Sequence, residues 1–570
     1  MSDFTDVAAL VGEFHERGGQ PGLAYGIVRG GELVHAGGLG ERRLDGPAPD
    51  ADTVFRIASM TKSFTAAAVL MLRDEGALAL DDLAEDYVPE LRGWPPVTAD
   101  AARVTIRHLL TMTAGFPTDD PWGDRQQGLP LDEFAKFLAD GVRFAWAPGT
   151  RFEYSNLGYA ILGRAISAVS GLPYPEFVKD RLLRPLDMTR TGYEADQAAD
   201  ADGLAVGYRR APAGWEEVPF DRCGAFAPMG GLFTCVRDLA PWVAGFAAAF
   251  RPAEASAGHP LGPASRREMQ LPQVQTGWDQ PASFPGDALR SAYGLGLSVE
   301  EDLDAGRVVG HGGGYPGFGS YMRWHPATGT GVIALGNSTY ARMGLLTSRI
   351  LSMLLRARQA DAHRVPLAPG WAPWPETTAA RDAVQRLLES WDDAAAERLF
   401  SPCVALDAPY LERRTAIALI RERIGDFQRS PRTPEHDSPA HCRWWLAGEH
   451  GVVQVQILLT PERSPRVQSL TLAIPPAPGS ALSDMISAFV AWLNSGEAVP
   501  MRHGLDAGPL ARRVRAAAAW LGECRPAGYV AGDGMTTATV ALAGAHARLT
   551  LSLIVDPAAR QLVAAEITAP

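Results

Sequence analysis

The sequence predicts an α+β protein, with an antiparallel sheet flanked by helices followed by two small repeated α+β modules. Three observations predict this fold class. β-type segments lie at both ends of residues 1–360 with helix-type segments between them, a proline-rich stretch follows, and the remaining residues contain two similar halves. At 570 residues the chain also exceeds the roughly 250 to 300 residues at which single cores stop growing, so we expect more than one domain.

The first domain is predicted to span residues 1–360. Residues 22–40 contain two β-type runs around Arg29-Gly30-Gly31, which is a hairpin signal. A helix is predicted from about Ser59 to Glu75, because this stretch is rich in helix formers and Gly76 stands where a C-terminal cap is expected. Three β-type segments and a terminal helix follow within residues 293–358. Strands at both ends of the domain imply an antiparallel sheet built from distant parts of the sequence.

The rest of the chain is predicted to form a linker and two modules. Residues 361–376 have the proline density of a linker, and residues 377–475 and 480–570 each read as helix, helix and then β-hairpin sheet. The two copies are related by an offset of about 95 residues. Small modules of this kind often serve as lids, pockets or contacts between copies, so a homo-oligomer through the C-terminal modules is one expectation.

Composition excludes several classes of partner and cofactor. The net charge is −12 and the pI is near 5.5, so nucleic acid is not expected as a partner. There is no apolar run near the ~18 to 20 residues that cross a bilayer, and the N-terminus lacks a secretory pattern, so we expect no membrane association and a cytoplasmic location. Five scattered cysteines and the histidines His436, His441 and His450 have no metal-ligand spacing. We therefore expect no metal and no cofactor.

The pair Ser59 and Lys62 is the strongest chemical signal. Lysine occurs at only three positions, Lys62, Lys136 and Lys179, among 53 basic residues. Positions three apart share one face of a helix, which lets a lysine amine reach a serine hydroxyl. A serine hydroxyl is a weak nucleophile until a base takes its proton, and a desolvated lysine can do this whereas arginine stays protonated. The S-x-x-K spacing therefore predicts an activated serine, with a surface lysine at a helix start as the alternative.

Two further patterns carry chemistry. In Tyr154-Ser155-Asn156, a tyrosine oxygen beside cationic groups can shuttle a proton, and the asparagine amide can hold a substrate carbonyl while it touches the lysine. Taken alone, this Y-x-N pattern is weak evidence for function, because a buried tyrosine and a turn asparagine explain it better.

The second pattern is the run from His311 to Gly314 at the end of a predicted strand. Its glycines allow the backbone to approach a ligand closely, and an N–H there can face a developing oxyanion. Gly312, Gly314 and Gly317 also satisfy G-x-G-x-x-G, but Pro316 interrupts it and β-type sequence follows where a dinucleotide loop would open a helix. The sequence signatures of P-loop enzymes, gluzincins and nucleophile-elbow hydrolases are absent.

With S-x-x-K, Y-x-N and H-x-G in this order, residues 20–355 resemble the serine β-lactamase and penicillin-binding-protein superfamily, in its branch of class C β-lactamases, D-aminopeptidases and carboxylesterases. The resemblance implies a transpeptidase-like sheet with an all-helical lobe. It implies that Ser59 is the acylated nucleophile, Lys62 its base, and Tyr154 the proton carrier, with Asn156 as a substrate clamp.

The resemblance further implies that the backbone N–H groups of Ser59 and Gly314 form the oxyanion hole. It also implies that Gly312, Gly313 and Gly314 contact the substrate. His311 stands where β-lactamases carry the lysine of K-T-G. That lysine helps to bind substrate carboxylates, whereas histidine near neutral pH is largely uncharged. Substrates that bear a carboxylate should therefore bind less well.

We expect an intracellular serine hydrolase that acts through an acyl-enzyme on ester or amide bonds of small molecules or short peptides. The alternatives are a D-stereospecific aminopeptidase or peptide transferase/cyclase, a β-lactamase, and a non-enzymatic penicilloyl-binding sensor. The loop that holds Asp119, Asp120, Trp122 and Asp124 is expected to be a solvated surface loop. Binding of a substrate ammonium by its carboxylates is the alternative.

Overall fold

The computed structural model divides the chain into two compact units, residues 1–369 and 370–570. The residues that the structure describes are 2–17, 19–200, 202–212, 214–251, 258–276, 290–302, 306–356, 372–436, 438–495, 514, 517–518, 521, 524–544 and 548–568. Most of the predicted linker at 361–376 lies outside these residues. The predicted domain boundaries stay predictions.

The first unit contains both strands and helices along its whole length. Its strands are β1 (Gly22–Arg29), β2 (Glu32–Gly40), β3 (Phe55–Arg56), β4 (Gly207–Ala211), β5 (Gly214–Val218), β6 (Phe233–Thr234), β7 (Val274–Gln275), β8 (Arg290–Tyr293), β9 (Ser298–Asp302), β10 (Gly306–Tyr315), β11 (Phe318–His325) and β12 (Thr330–Gly336). Its helices are α1 (Ser2–Glu16), α2 (Thr61–Asp74), α3 (Ala84–Tyr87), α4 (Ile106–Leu110), α5 (Asp120–Gly123), α6 (Leu131–Ala139), α7 (Asn156–Ser170), α8 (Tyr174–Val178), α9 (Ala195–Ala198), α10 (Ala227–Gly230), α11 (Val236–Ala248), α12 (Pro263–Met269) and α13 (Met343–Arg356). Short 3-10 or π segments occupy Ala58–Met60, Pro89–Leu91, Lys179–Leu183 and Arg184–Leu186.

Eight of these strands form one antiparallel sheet in the order β2-β1-β12-β11-β10-β9-β8-β7. The N-terminal hairpin pairs with the last strand, for example Tyr25 with Ala334. Strands from the two ends of the unit therefore lie side by side, and the predicted α+β class with an antiparallel sheet is confirmed.

Both faces of the central strands are covered. In β1, Leu23, Tyr25 and Ile27 belong to an apolar cluster with α1 and α13, whereas Ala24 and Val28 face the main core. Side chains of a strand alternate between its two faces, which is why nearly every residue of β1 is buried.

Helix α2 lies inside the unit, and residues from Thr61 to Leu72 are buried around its whole circumference. It packs against α7 and α10. A helix that is apolar all round belongs in a core, and the alanine-rich sequence of α2 suits such close packing. The first residues of α2 are therefore enclosed by packing on every face of the helix.

The second unit contains two four-stranded antiparallel sheets, one with its strands within residues 428–473 and one with its strands within residues 524–568, each paired in sequence order. Its helices are α14 (Pro375–Glu389), α15 (Asp393–Leu399), α16 (Pro402–Asp407), α17 (Tyr410–Ile424) and α18 (Ala481–Ser495). Its strands are β13 (Gln428–Arg429), β14 (His441–Gly448), β15 (Gly451–Leu459), β16 (Val467–Ala473), β17 (Cys524–Ala531), β18 (Thr537–Gly544), β19 (Arg548–Asp556) and β20 (Gln561–Thr568). Each sheet has its own apolar core, so the small C-terminal modules are present. The predicted second helix of the second module lies mostly outside the described residues.

Within the described part of the chain, no helix is long and apolar enough to cross a membrane. The same residues contain no group of three or more His, Cys, Asp or Glu side chains that could hold a metal ion. None of the five cysteines, all of which lie within the described residues, forms a disulfide bond. The cytoplasmic location stays a prediction.

Candidate active site

Ser59 lies on a strained turn directly before helix α2. It belongs to the 3-10 segment Ala58–Met60, in which Ala58 has φ = 46°. Residues other than glycine rarely adopt this left-handed region, and such strain persists only where the surrounding structure imposes it. Ala58 and Met60 are buried, whereas the side chain of Ser59 is partly exposed. The turn therefore presents one hydroxyl to solvent.

Lys62 is completely buried one turn further on and contacts three oxygen atoms. Its Nζ lies 2.9 Å from Ser59 Oγ, 2.7 Å from Asn156 Oδ1 and 2.9 Å from the carbonyl oxygen of Met229. The amide and carbonyl oxygens can only accept hydrogen bonds, whereas the serine hydroxyl can also donate one. In each of the three contacts the Lys62 amine is the donor. After loss of one proton the amine keeps two N–H groups for Asn156 and Met229, and its lone pair can face the hydroxyl of Ser59.

The environment of Lys62 favours loss of its proton. Burial lowers the pKa of Lys62 to about 8, and the nearby carboxylates of Asp120, Asp119 and Asp124 oppose this change. The S-x-x-K spacing brings Ser59 and Lys62 together, and the packing around α2 excludes water from the amine of Lys62.

Asn156 is held at both ends of its amide. Its Oδ1 contacts Lys62, and its Nδ2 donates to Asp120 Oδ1 over 2.8 Å. At the same helix start, Asp119 accepts hydrogen bonds from the backbone N–H of Asn156 at 2.6 Å and of Leu157 at 2.8 Å. The first residue of α7 is therefore fixed next to Lys62.

The expectation of a solvated loop at residues 119–124 is wrong for two of its three carboxylates. Asp119 caps α7, and Asp124 is 5% exposed and accepts a hydrogen bond from the hydroxyl of Tyr340 at 2.8 Å. Burial raises the pKa of Asp124 to about 6. Only Asp120 is exposed, and it also contacts Asn156. Local sequence does not show these contacts because their partners lie far along the chain.

Tyr154 lies against the serine and lysine pair. Lys62 Nζ is 4.9 Å from the centroid of the Tyr154 ring. Burial and the charge of Asp120 raise the pKa of Tyr154 well above its usual value, and interaction with the side chain of Ser59 opposes this rise. The phenol is therefore protonated near neutral pH.

His311 is a buried, neutral residue of β10. Its Nδ1 lies 2.6 Å from the carbonyl oxygen of Gly312, which can only accept, so Nδ1 carries the proton and Nε2 accepts from the hydroxyl of Tyr293 at 3.0 Å. Burial and the charge of Lys62 lower the pKa of His311 to about 3. Tyr293 had no signal in the sequence beyond its β-type segment.

The glycines of β10 allow this strand to lie directly against the Ser59 turn. A Cβ atom added to Gly313 would be 2.0 Å from the carbonyl oxygen of Ile57, and one added to Gly314 would be 2.6 Å from the Tyr340 ring. At Gly312 the nearest atoms, those of the Tyr321 ring, are 3.0 Å away. Larger residues would separate the strand from the turn.

Four residues that the sequence motifs single out thus meet in space: Ser59, Lys62, Tyr154 and Asn156. His311 lies on the adjoining strand β10, and burial and the charge of Lys62 lower its pKa. A partly exposed serine paired with a buried lysine beside a large antiparallel sheet defines the β-lactamase-like and penicillin-binding-protein-like class.

Comparison with known proteins agrees with this class. Residues 7–352 match the family model described as Beta-lactamase, so the chain belongs to this family, which is of serine-hydrolase type. The chain is 26% identical over 326 residues to Protein flp of Staphylococcus aureus (strain COL), a match that covers 56% of this chain and 60% of that protein. It is 28% identical over 230 residues to the D-alanyl-D-alanine-carboxypeptidase/endopeptidase AmpH of Escherichia coli (strain K12), with 40% of this chain and 57% of AmpH covered. The chain thus spans about three fifths of the length of these curated relatives.

Among solved structures, the octameric penicillin-binding protein homologue from Pyrococcus abyssi is similar in fold. The TM-score is 0.54 at 23% sequence identity, and the match covers 82% of this chain and all of the other. The octamer is a property of the Pyrococcus protein. A homo-oligomer of the present chain through its C-terminal modules stays a prediction.

Proposed function

We propose that this chain is a serine hydrolase that cleaves ester or amide bonds of small molecules or short peptides through an acyl-enzyme on Ser59. The observation that carries the proposal is the set of three contacts around the buried amine of Lys62. The oxygens of Asn156 and Met229 can hold two N–H groups of the amine, so loss of its third proton leaves a lone pair beside the hydroxyl of Ser59.

In the proposed reaction, Ser59 Oγ forms a bond to the substrate carbonyl carbon while its proton moves to Lys62 Nζ. The carbonyl oxygen becomes an oxyanion, which the backbone N–H groups of Ser59 and Gly314 stabilise. When the bond to the leaving group breaks, Tyr154 passes a proton to the departing oxygen or nitrogen and is reprotonated from Lys62. Water then attacks the acyl group, and the same groups act in reverse.

His311 favours esters and amides without a carboxylate over β-lactams. Its ring is neutral near pH 7 and both ring nitrogens are occupied, by Gly312 and by Tyr293. It therefore supplies no positive charge for a substrate carboxylate, in contrast to the lysine that the resemblance places here.

The proposal is tested by steady-state release of p-nitrophenol from p-nitrophenyl butyrate. We expect continued turnover, and Ser59→Ala and Lys62→Arg should each lower it by at least about a thousandfold because the two groups act as a unit. Lys136→Arg is the matched control, since Lys136 is exposed on α6 and should tolerate the change. A burst that stops at one equivalent would indicate an acylated sensor instead. Activity that survives Lys62→Arg would contradict the assigned base.

A further inference from the structure

Asp120 is an exposed carboxylate beside the candidate catalytic groups. Its Oδ1 accepts a hydrogen bond from Asn156 Nδ2 at 2.8 Å. Among the described residues, no arginine or lysine forms an ion pair with it. The neighbouring Asp119 accepts a hydrogen bond from a backbone N–H at the start of α7, and Asp124 accepts one from the hydroxyl of Tyr340. Of the three carboxylates in this loop, Asp120 therefore keeps an oxygen for a ligand.

Asp120 is coupled to the nucleophile through a short chain of contacts. Three consecutive hydrogen bonds connect it to Ser59, through the amide of Asn156 and the amine of Lys62. Its negative charge raises the pKa of Lys62 and that of Tyr154. A group bound at Asp120 therefore lies close to the bond that Ser59 attacks.

Two partly exposed aromatic residues belong to the same part of the site. Tyr340, which is 50% exposed, donates to Asp124, lies against Gly314 and is influenced by the charge of Asp120. It is held in the left-handed region at φ = 53°, which a tyrosine adopts only where its surroundings require it. Trp122, two residues after Asp120, is 41% exposed and packs on Phe226. An aromatic face also attracts a cation, because of the ring quadrupole.

We propose that Asp120 selects the substrate by pairing with an ammonium group near the scissile carbonyl. This inference rests on the proposed function and names its substrate class: esters or amides whose acyl part carries a free amine. The charge preference follows from two residues together, because His311 provides no cation for a carboxylate and Asp120 provides an anion for an amine. Binding an ammonium at Asp120 also neutralises the charge that opposes proton loss from Lys62.

The test compares two p-nitrobenzyl esters of nearly equal shape, those of alanine and of isobutyric acid. They differ by an ammonium group in place of a methyl group, and both enantiomers of the alanine ester are measured at pH 7. Each kcat/KM is divided by the rate constant for spontaneous hydrolysis of that ester, because the ammonium group itself activates the carbonyl. We expect this corrected kcat/KM to favour an alanine ester by up to about fivefold, as for an ion pair at a partly exposed site. Asp120→Asn keeps an oxygen for the contact with Asn156 but removes the charge, so the corrected ratio should fall toward one.

Asp132→Asn is the matched control, because it removes an exposed carboxylate on α6 outside the cleft and should keep the wild-type ratio. Equal corrected kcat/KM values for the two esters in the wild type, or a ratio unchanged by Asp120→Asn, would overturn the proposal.

A binding experiment separates this inference from the hydrolase proposal. In the Ser59→Ala variant, calorimetry should show tighter binding of alanine amide than of isobutyramide, and the added change Asp120→Asn should remove the difference. If the wild type turns over neither ester, the hydrolase proposal fails while this comparison still decides the role of Asp120. Equal binding of the two amides would refute that role.

Discussion

Ester hydrolysis by this protein should depend on pH with a midpoint near 8, because Lys62 must be neutral to accept the proton of Ser59. With a pKa of about 8, about one enzyme molecule in eleven carries the neutral amine at pH 7, compared with about one in three thousand for an ordinary lysine. We therefore expect kcat/KM for p-nitrophenyl butyrate to rise about tenfold from pH 7 to pH 9 and to level off above that.

The other titratable groups of the cleft cannot produce this rise. The pKa of His311 is about 3 and that of Asp124 about 6, whereas burial raises the pKa of Tyr154 far above its usual value. Burial lowers the pKa of Lys62, and the carboxylates of Asp120, Asp119 and Asp124 raise it. Asp120→Asn should therefore move the midpoint to lower pH, which is the direction expected when a stabilising negative charge is removed from an ammonium group.

The assay measures initial rates from pH 6 to 9.5 at constant ionic strength, read at the isosbestic wavelength of p-nitrophenol. Rates of the Ser59→Ala variant are subtracted to remove spontaneous hydrolysis. A pH-independent kcat/KM across this range would refute the reasoning. A midpoint near 6 that moves in Asp124→Asn would assign the dependence to that carboxylate instead of the lysine.

Two further predictions concern how the site is held together. Asp119→Ala removes the acceptor of two backbone N–H groups at the start of α7, so it should lower the free energy of unfolding in urea by about 1 to 2 kcal/mol. Asp132→Ala is the control: it removes an exposed carboxylate and should alter the free energy of unfolding by less than about 0.5 kcal/mol. Equal effects of the two changes would contradict the capping role. Gly313→Ala places a Cβ atom 2.0 Å from the Ile57 carbonyl oxygen, so β10 must move and kcat/KM should fall by at least about a hundredfold. Gly262→Ala, where the added Cβ meets nothing within 4 Å, is the control, and equal activity of the two variants would show that β10 does not need this approach.

Much of the fold followed from local sequence patterns. The hairpin at residues 22–40 and the terminal helix have the predicted types, and the antiparallel sheet joins both ends of the first unit. The order of its strands had no local signal, because pairing of β1 with β12 depends on contacts across about 300 residues. The predicted helix from Ser59 begins instead as a 3-10 turn, and helix α2 starts at Thr61. This turn, with the strained backbone of Ala58, packs against β10, which is distant in the sequence.

The sequence by itself predicted the pairing of Ser59 with Lys62, because residues three apart at the start of a helix lie on the same face. Only the tertiary structure decided how that pair is charged and what surrounds it. Asp120 reaches Asn156 across 36 positions and Tyr293 reaches His311 across 18, and neither contact has a sequence period that marks it. Desolvation and Coulomb interactions depend on distance in space, so the reactivity of the lysine is a property of the folded chain.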